Sequence, residues 1–159
     1  MIGPMNPTTY NLLIFVHVCA AAFWVGGMAT MHFAVRPAAV ALLQPPQRLP
    51  FMAGALERFF AGVSVAVLLL WASGLALLMG QGGMAGTHWR VHAMLTLALV
   101  MSAIYGHIRM ASFKRLRLAV QAADWPAAAA RLNQIRRLVA LNLGLGVLTL
   151  AVALVGRAL

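Results

Sequence analysis

The chain has 159 residues, of which 63% are hydrophobic and 9% charged, with twelve Lys or Arg against two Asp or Glu and a formal net charge of +10. Soluble domains carry about 25% charged residues, so a chain this short and this apolar cannot hide its hydrophobic surface in a core of its own, and a water-exposed globular fold is excluded. The charge does not indicate nucleic acid either: the basic residues sit between apolar runs, not along one face interleaved with aromatics, and beside membrane spans such charge sets topology and favours anionic lipid.

Residues 1–10 contain no Lys or Arg and so lack the basic leader of a secretory signal; the apolar run that follows reads as a retained helix. Four apolar runs approach the span of about 20 residues that a bilayer requires: residues 10–33, 59–79, 91–108 and 138–155. Unpaired backbone is too costly in hydrocarbon for anything but a helix or a closed barrel, and the runs lack the alternation of barrel strands. The expected fold is therefore all-α, an integral membrane four-helix bundle in one domain. Between the runs, Arg36-Pro37 is expected to end the first helix. Pro45, Pro46 and Pro50 should keep the first loop irregular, and Gly80, Gly82, Gly83 and Gly86 should form the second. The third connection, residues 114–137, is long and mixed. In it Asp124-Trp125-Pro126 reads as an N-cap followed by proline in a first helical turn, so that residues 127–137 either extend the fourth helix or lie in the interface.

Ten of the twelve basic residues fall in the first and third connections or at their edges, among them Arg36, Arg48, Arg58, Arg109, Arg131, Arg136 and Arg137, leaving only Arg90 and Arg157 on the other side. The positive-inside tendency then places both termini outside, on the periplasmic side of a bacterial inner membrane.

Five histidines punctuate this pattern: His17, His32, His88, His92 and His107. His17 and His32 are 15 residues apart in the first run, and His92 and His107 are 15 apart in the third. Because these two helices run in the same direction, the four residues form two level pairs, about 22 Å apart at about 1.5 Å per residue. Ionisable groups within spans are functional candidates by default, and two imidazoles above and below a porphyrin are one way to hold heme iron. Ala20, Ala21 and Met28 on the first helix, and Thr96, Ala103 and Gly106 on the third, offer small or soft neighbours. Gly62, Gly74, Gly144 and Gly146 offer close approach on the other two. Arg58, Arg90 and Arg109 are candidates to neutralise heme propionates. His88 is an alternative outer ligand or a loop residue. Met28, Met31 and His32, with His17, form a thioether and imidazole set that suits Cu(I). The two carboxylates, Glu57 and Asp124, lie near the basic connections, and Glu57 is expected to pair with Arg58. Cys19 reads as a small hydrophobe. No phosphate loop, dinucleotide fingerprint or hydrolase elbow is present.

The segment His17-Val18, Trp24-Val25-Gly26-Gly27 and Arg36-Pro37, with Glu57-Arg58-Phe59 and Ser73-Gly74-Leu75, resembles the CopD family of copper-resistance membrane proteins. The same layout, with Arg131-Leu132-Asn133-Gln134-Ile135 before the fourth helix, resembles the HemJ-type protoporphyrinogen oxidases, which are four-helix heme-binding membrane proteins. The resemblance implies heme ligation or metal handling at His17. Where the HemJ type carries a lysine early in the third helix, this chain has His92, which favours a second imidazole. The paired spacing is also similar in layout to the diheme bundle of respiratory cytochromes b.

These observations together lead to the expectation of a bis-histidine b-type cytochrome with two hemes, His17 and His92 holding one and His32 and His107 the other. It would carry electrons across the membrane to or from a quinone or small redox partner, with small-residue faces left for a homodimer. A CopD-like copper-handling protein and a HemJ-like oxidase are the alternatives.

Overall fold

The computed structural model describes residues 5–84 and 87–156; Gly86 and Arg157, which entered the readings of the second loop and of topology, lie outside the described residues. Four long helices make up the fold: α1 Pro7–Leu42, α2 Pro45–Gly80, α3 Trp89–Gln121 and α4 Trp125–Val155. All four are long and apolar enough to cross a bilayer. The large side chains they turn outward, such as Leu12, Phe15, Leu68, Leu99 and Leu154, make sense only against lipid. The chain is an all-helical, multi-pass membrane protein.

The apolar runs mark the membrane-embedded parts, but the helices do not stop where the runs do. α2 begins at Pro45, α3 continues to Gln121 and α4 begins at Trp125. Compared with the expected 59, 108 and 138, each helix is longer by about 20 Å at about 1.5 Å per residue. These extensions, with the end of α1, form a basic helical head. Its interior is the best-packed part of the chain: Leu49, Leu56, Phe60, Phe113, Leu116, Ala128 and Ile135 are all buried, and Phe60 meets Phe113 edge to face at 5.3 Å. The extension of α4 over residues 127–137 is one of the two arrangements expected for that stretch; hydropathy alone could not show the other two, because amphipathic helices in water are no more apolar than loops.

The prolines are placed differently from expectation. Pro45 opens α2, where its missing N–H costs nothing, whereas Pro50 lies inside the helix and leaves the Pro46 carbonyl without its usual donor. Arg36-Pro37 does not end α1. A five-residue π segment, Met31–Val35, precedes it, with the Arg36 amide bonded to the Met31 carbonyl, and the helix then resumes to Leu42. A wide turn of this kind absorbs the donor that proline lacks and eases its ring past the preceding turn. A second π segment, Ile108–Ser112, lies at the matching place in α3.

The connections at the head are tight. Residues 43–44 join α1 to α2 and residues 122–124 join α3 to α4. In the second of these, Ala123 takes φ 52°, and Asp124 caps α4 by accepting from the Ala127 amide at 3.0 Å, with Pro126 in the first turn as expected. α1 packs mainly on α2, and α3 mainly on α4. The chain is thus two antiparallel hairpins, and between them, in the half of the bundle away from the head, lies the main cavity.

Candidate functional site

The cavity has a volume of about 450 Å³ and is walled by all four helices. It is largely apolar; its polar groups are Tyr10 and His17 from α1, Trp71 from α2, Gln81 and Thr87 from the link between α2 and α3, Arg90 and Ser102 from α3, and Thr149 from α4, besides the indole of Trp24. Trp24 and Met101, both buried, contribute to its wall. Trp24 also stacks edge to face on Tyr105, with centroids 6.0 Å apart. The Tyr105 hydroxyl donates to the Phe60 carbonyl at 2.8 Å and meets Ser64 Oγ at 2.7 Å, tying α3 to α2. The Trp71 indole donates to Ser102 Oγ at 3.1 Å, a second cross-tie between the same helices.

His17 is the one histidine that faces this space. Its Nδ1 lies 2.9 Å from Ser73 Oγ. Ser73 is buried, and its hydroxyl donates to the Leu69 carbonyl at 2.5 Å, so the remaining role of Oγ toward the imidazole is to accept. This assigns the proton of the neutral ring to Nδ1 and leaves the lone pair on Nε2. Metal-ligating histidines are held in this way, by a hydrogen bond to the nitrogen that does not bind. Gly74 makes the arrangement possible: a Cβ at that position would stand 3.1 Å from His17 Cε1, closer than ordinary van der Waals contact.

Arg90 is the second unusual group. It lines the same cavity, is half-buried, and its Nε is buried with no hydrogen-bond partner among the described residues. A cation in the first turn of α3 also opposes the helix dipole. A buried guanidinium nitrogen left unpaired is costly, and an anionic group entering from the cavity would satisfy it.

The other histidines lie elsewhere. His92 is exposed on the outer face of α3, with Nε2 3.3 Å from Thr87 Oγ1; it does not line the cavity, and neither do Thr96 and Ala103, which are exposed as well. The cavity face of α3 is instead set by Val91, Met94, Leu95, Ala98, Met101 and Ser102, a stripe at helical spacing. His88 caps α3, its Nδ1 accepting from the Arg90 amide at 3.4 Å, in keeping with a loop role. His32 lies in the first π segment and lines a separate void of about 30 Å³ near the head. His107 is exposed just before the second π segment. The structure therefore brings neither His17 and His92 nor His32 and His107 to a shared cavity.

Among the arginines, Arg58 is exposed, and Arg109 lies over the Phe113 ring at 5.6 Å; neither lines the cavity. Glu57 pairs with Arg117 at 3.1 Å, not with its neighbour Arg58, because residues adjacent in a helix point apart. Met28 is buried in the core, while Met31 and His32 border the small void, so the expected copper set with His17 is not assembled. Instead, Met94 and Met101 share the cavity with His17. Histidine spacing alone could not identify Ser73, Met94 and Met101. The stripe of residues at three and four along α3 contains the last two, but every face of that helix is apolar. Among the described residues, no group of three or more His, Cys, Asp or Glu could together hold a metal ion.

Four spanning helices around a cavity lined by one imidazole and one guanidinium define a multi-pass membrane protein. The family model for Copper resistance protein D, CopD, matches residues 53–155, and the chain belongs to the CopD family. The match begins within α2, so His17 precedes it. No curated protein matches the chain, and no solved structure does.

Proposed function

We propose that this copper-resistance-family membrane protein binds one heme b in the His17 cavity, where His17 Nε2 would hold the iron and Arg90 would neutralise a carboxylate of the porphyrin, and that it acts in electron transfer within the membrane. The single observation that carries this reading is an imidazole fixed through Nδ1 by Ser73, with its ligating nitrogen free, in the wall of a cavity of about 450 Å³. That volume lies within the range of about 300–1,000 Å³ typical of cofactor and small-molecule sites and far exceeds what a bare ion needs. The apolar walls suit a porphyrin, and the orphaned Arg90 nitrogen suits its carboxylates. Bound heme supplies one-electron redox chemistry; the protein's part is to orient the ring of His17, exclude water and neutralise charge. The reading keeps one porphyrin, not two, because the void beside His32 is about 30 Å³. With the basic head inside, as the charge bias favours, the cavity sits in the outer half of a bacterial inner membrane, where a quinone or small redox partner is a suitable electron donor or acceptor.

The test is a reduced-minus-oxidised spectrum and a pyridine hemochrome count on the full chain purified from heme-supplied cells. One b-type heme per chain is expected, lost in His17→Ala and kept in His92→Ala. A colourless protein ends the reading.

A second reading is favoured by the family and by one specific observation: the thioethers of Met94 and Met101 line the same cavity as His17. Thioether and imidazole donors together suit Cu(I). A colourless protein that holds one equivalent of Cu(I), and loses it in Met94→Leu or Met101→Leu, would establish copper handling in place of heme.

A further inference from the structure

The second void, apart from the His17 cavity, lies where the membrane-embedded parts of α1 and α4 pass into the basic head. His32, Arg36 and Arg136 line it together with apolar side chains that include Met52, Leu132 and Val139. Arg36 and Arg136 thus border one void together, and Arg48, which is outside its lining, bears on Arg36 as a like charge, as Arg136 does. All three are half-buried.

What neutralises this cluster is the question. The chain has two acidic side chains in all. Glu57 is paired with Arg117, and Asp124 is occupied as the cap of α4. Two other arginines of the head have partners, Arg109 over Phe113 and Arg131 donating to Gln134 at 3.4 Å, while Arg58, Arg115 and Arg137 are exposed to solvent. Among the described residues, Arg36, Arg48 and Arg136 have no hydrogen-bond or ion-pair partner. Like charges held close and partly out of water destabilise a fold unless a counter-charge is supplied.

The position of the cluster indicates the source of that charge. Val139 belongs to the start of the last apolar run and His32 to the end of the first, so the cluster lies at the depth where hydrocarbon gives way to headgroups. An ion arriving there from the lipid can leave its acyl chains on the apolar wall below, and guanidinium groups match phosphate geometry. We infer that Arg36, Arg48 and Arg136, with His32, form a site for the phosphate of an anionic phospholipid. The phosphate sits over the mouth of the void, since the void itself holds little more than one water.

The test is native mass spectrometry of the full chain released from detergent containing equal phosphatidylglycerol and phosphatidylcholine. Expected are retained phosphatidylglycerol adducts in wild type, weakened about fivefold for each arginine removed in Arg36→Gln and Arg136→Gln. Arg115→Gln and Arg137→Gln, which change exposed arginines of the same head, should leave the adducts unchanged. Equal loss in both sets of variants would show diffuse charge attraction and overturn the proposal. Release of the lipid by millimolar inorganic phosphate would overturn it in favour of a soluble anion site. Should the glutamine variants not fold, wild type decides alone: equal retention of the two lipids overturns the site, and preference for phosphatidylglycerol that survives millimolar phosphate supports it.

Discussion

Ser73 Oγ sits between the Leu69 carbonyl and the His17 imidazole, 2.9 Å from Nδ1, so a single hydroxyl on α2 fixes both the tautomer and the tilt of a ring on α1. Removing it in Ser73→Ala should cost little in fold stability, about 1 kcal/mol, yet weaken heme retention about 10- to 100-fold, as loss of a partner behind a metal-binding histidine does. Transfer of heme to excess apomyoglobin, timed optically, would measure this. Retention equal to wild type would mean that Ser73 does not orient the ring.

Gly74 tests the same ring from the other side. A methyl group there would press on His17 Cε1 at 3.1 Å, and the larger Gly74→Val would force the imidazole out of its present rotamer. The expected result is a chain that remains helical and monodisperse but holds no ligand, with Gly74→Ala intermediate. Full occupancy in Gly74→Val would show that the ring has another acceptable position.

Arg90→Gln should weaken binding of a carboxylate-bearing porphyrin about tenfold, the loss typical of one charge-assisted hydrogen bond. Arg90→Lys should recover part of it, and an esterified porphyrin should bind both variants and wild type alike. Titration with heme and its dimethyl ester separates these outcomes. If copper is the ligand, Arg90→Gln should bind it no less tightly than wild type.

Tyr105→Phe removes the bonds to the Phe60 carbonyl and Ser64. Interhelical hydrogen bonds in membranes average about 0.6 kcal/mol and reach about 1.7, so a loss of about 1 kcal/mol is expected in unfolding from mixed micelles. Glu57→Gln breaks an ion pair whose partners are about half exposed, 48% and 50%, and should change stability by less than about 0.5 kcal/mol.

How far the site was legible can be seen from α3. The depth of His92 followed from counting, because rise per residue is fixed. Its direction did not. Val91 faces the cavity and His92, one residue and about 100° further round, faces outward. In a soluble helix the polar face would have revealed this, but in lipid both faces are apolar and the hydrophobic pattern loses its phase. The spans were legible for the converse reason: hydrocarbon demands a long apolar run regardless of direction. The head was not, since residues 45–57 mix charge with leucine and proline, and residues 109–121 mix charge with leucine and polar side chains, as loops also do. The π segments leave no mark in composition at all, although Pro37 shows afterwards why one of them was required. The cap at Asp124 was legible because it depends on three adjacent residues and on nothing distant.

The connections have a consequence for how the pocket can be filled. Residues 43–44 and 122–124 fasten each hairpin at the head, where the packing is also densest, while the longer link of residues 81–88 joins the hairpins at the far end, beside Gln81, Thr87 and Arg90 of the cavity wall. The two hairpins are therefore joined covalently at the end where the cavity lies, and at the head they meet through packed side chains such as Phe60 and Phe113. A guest in the cavity therefore sits beside the link between the hairpins, with the buried side chains of the head between it and the opposite end of the bundle.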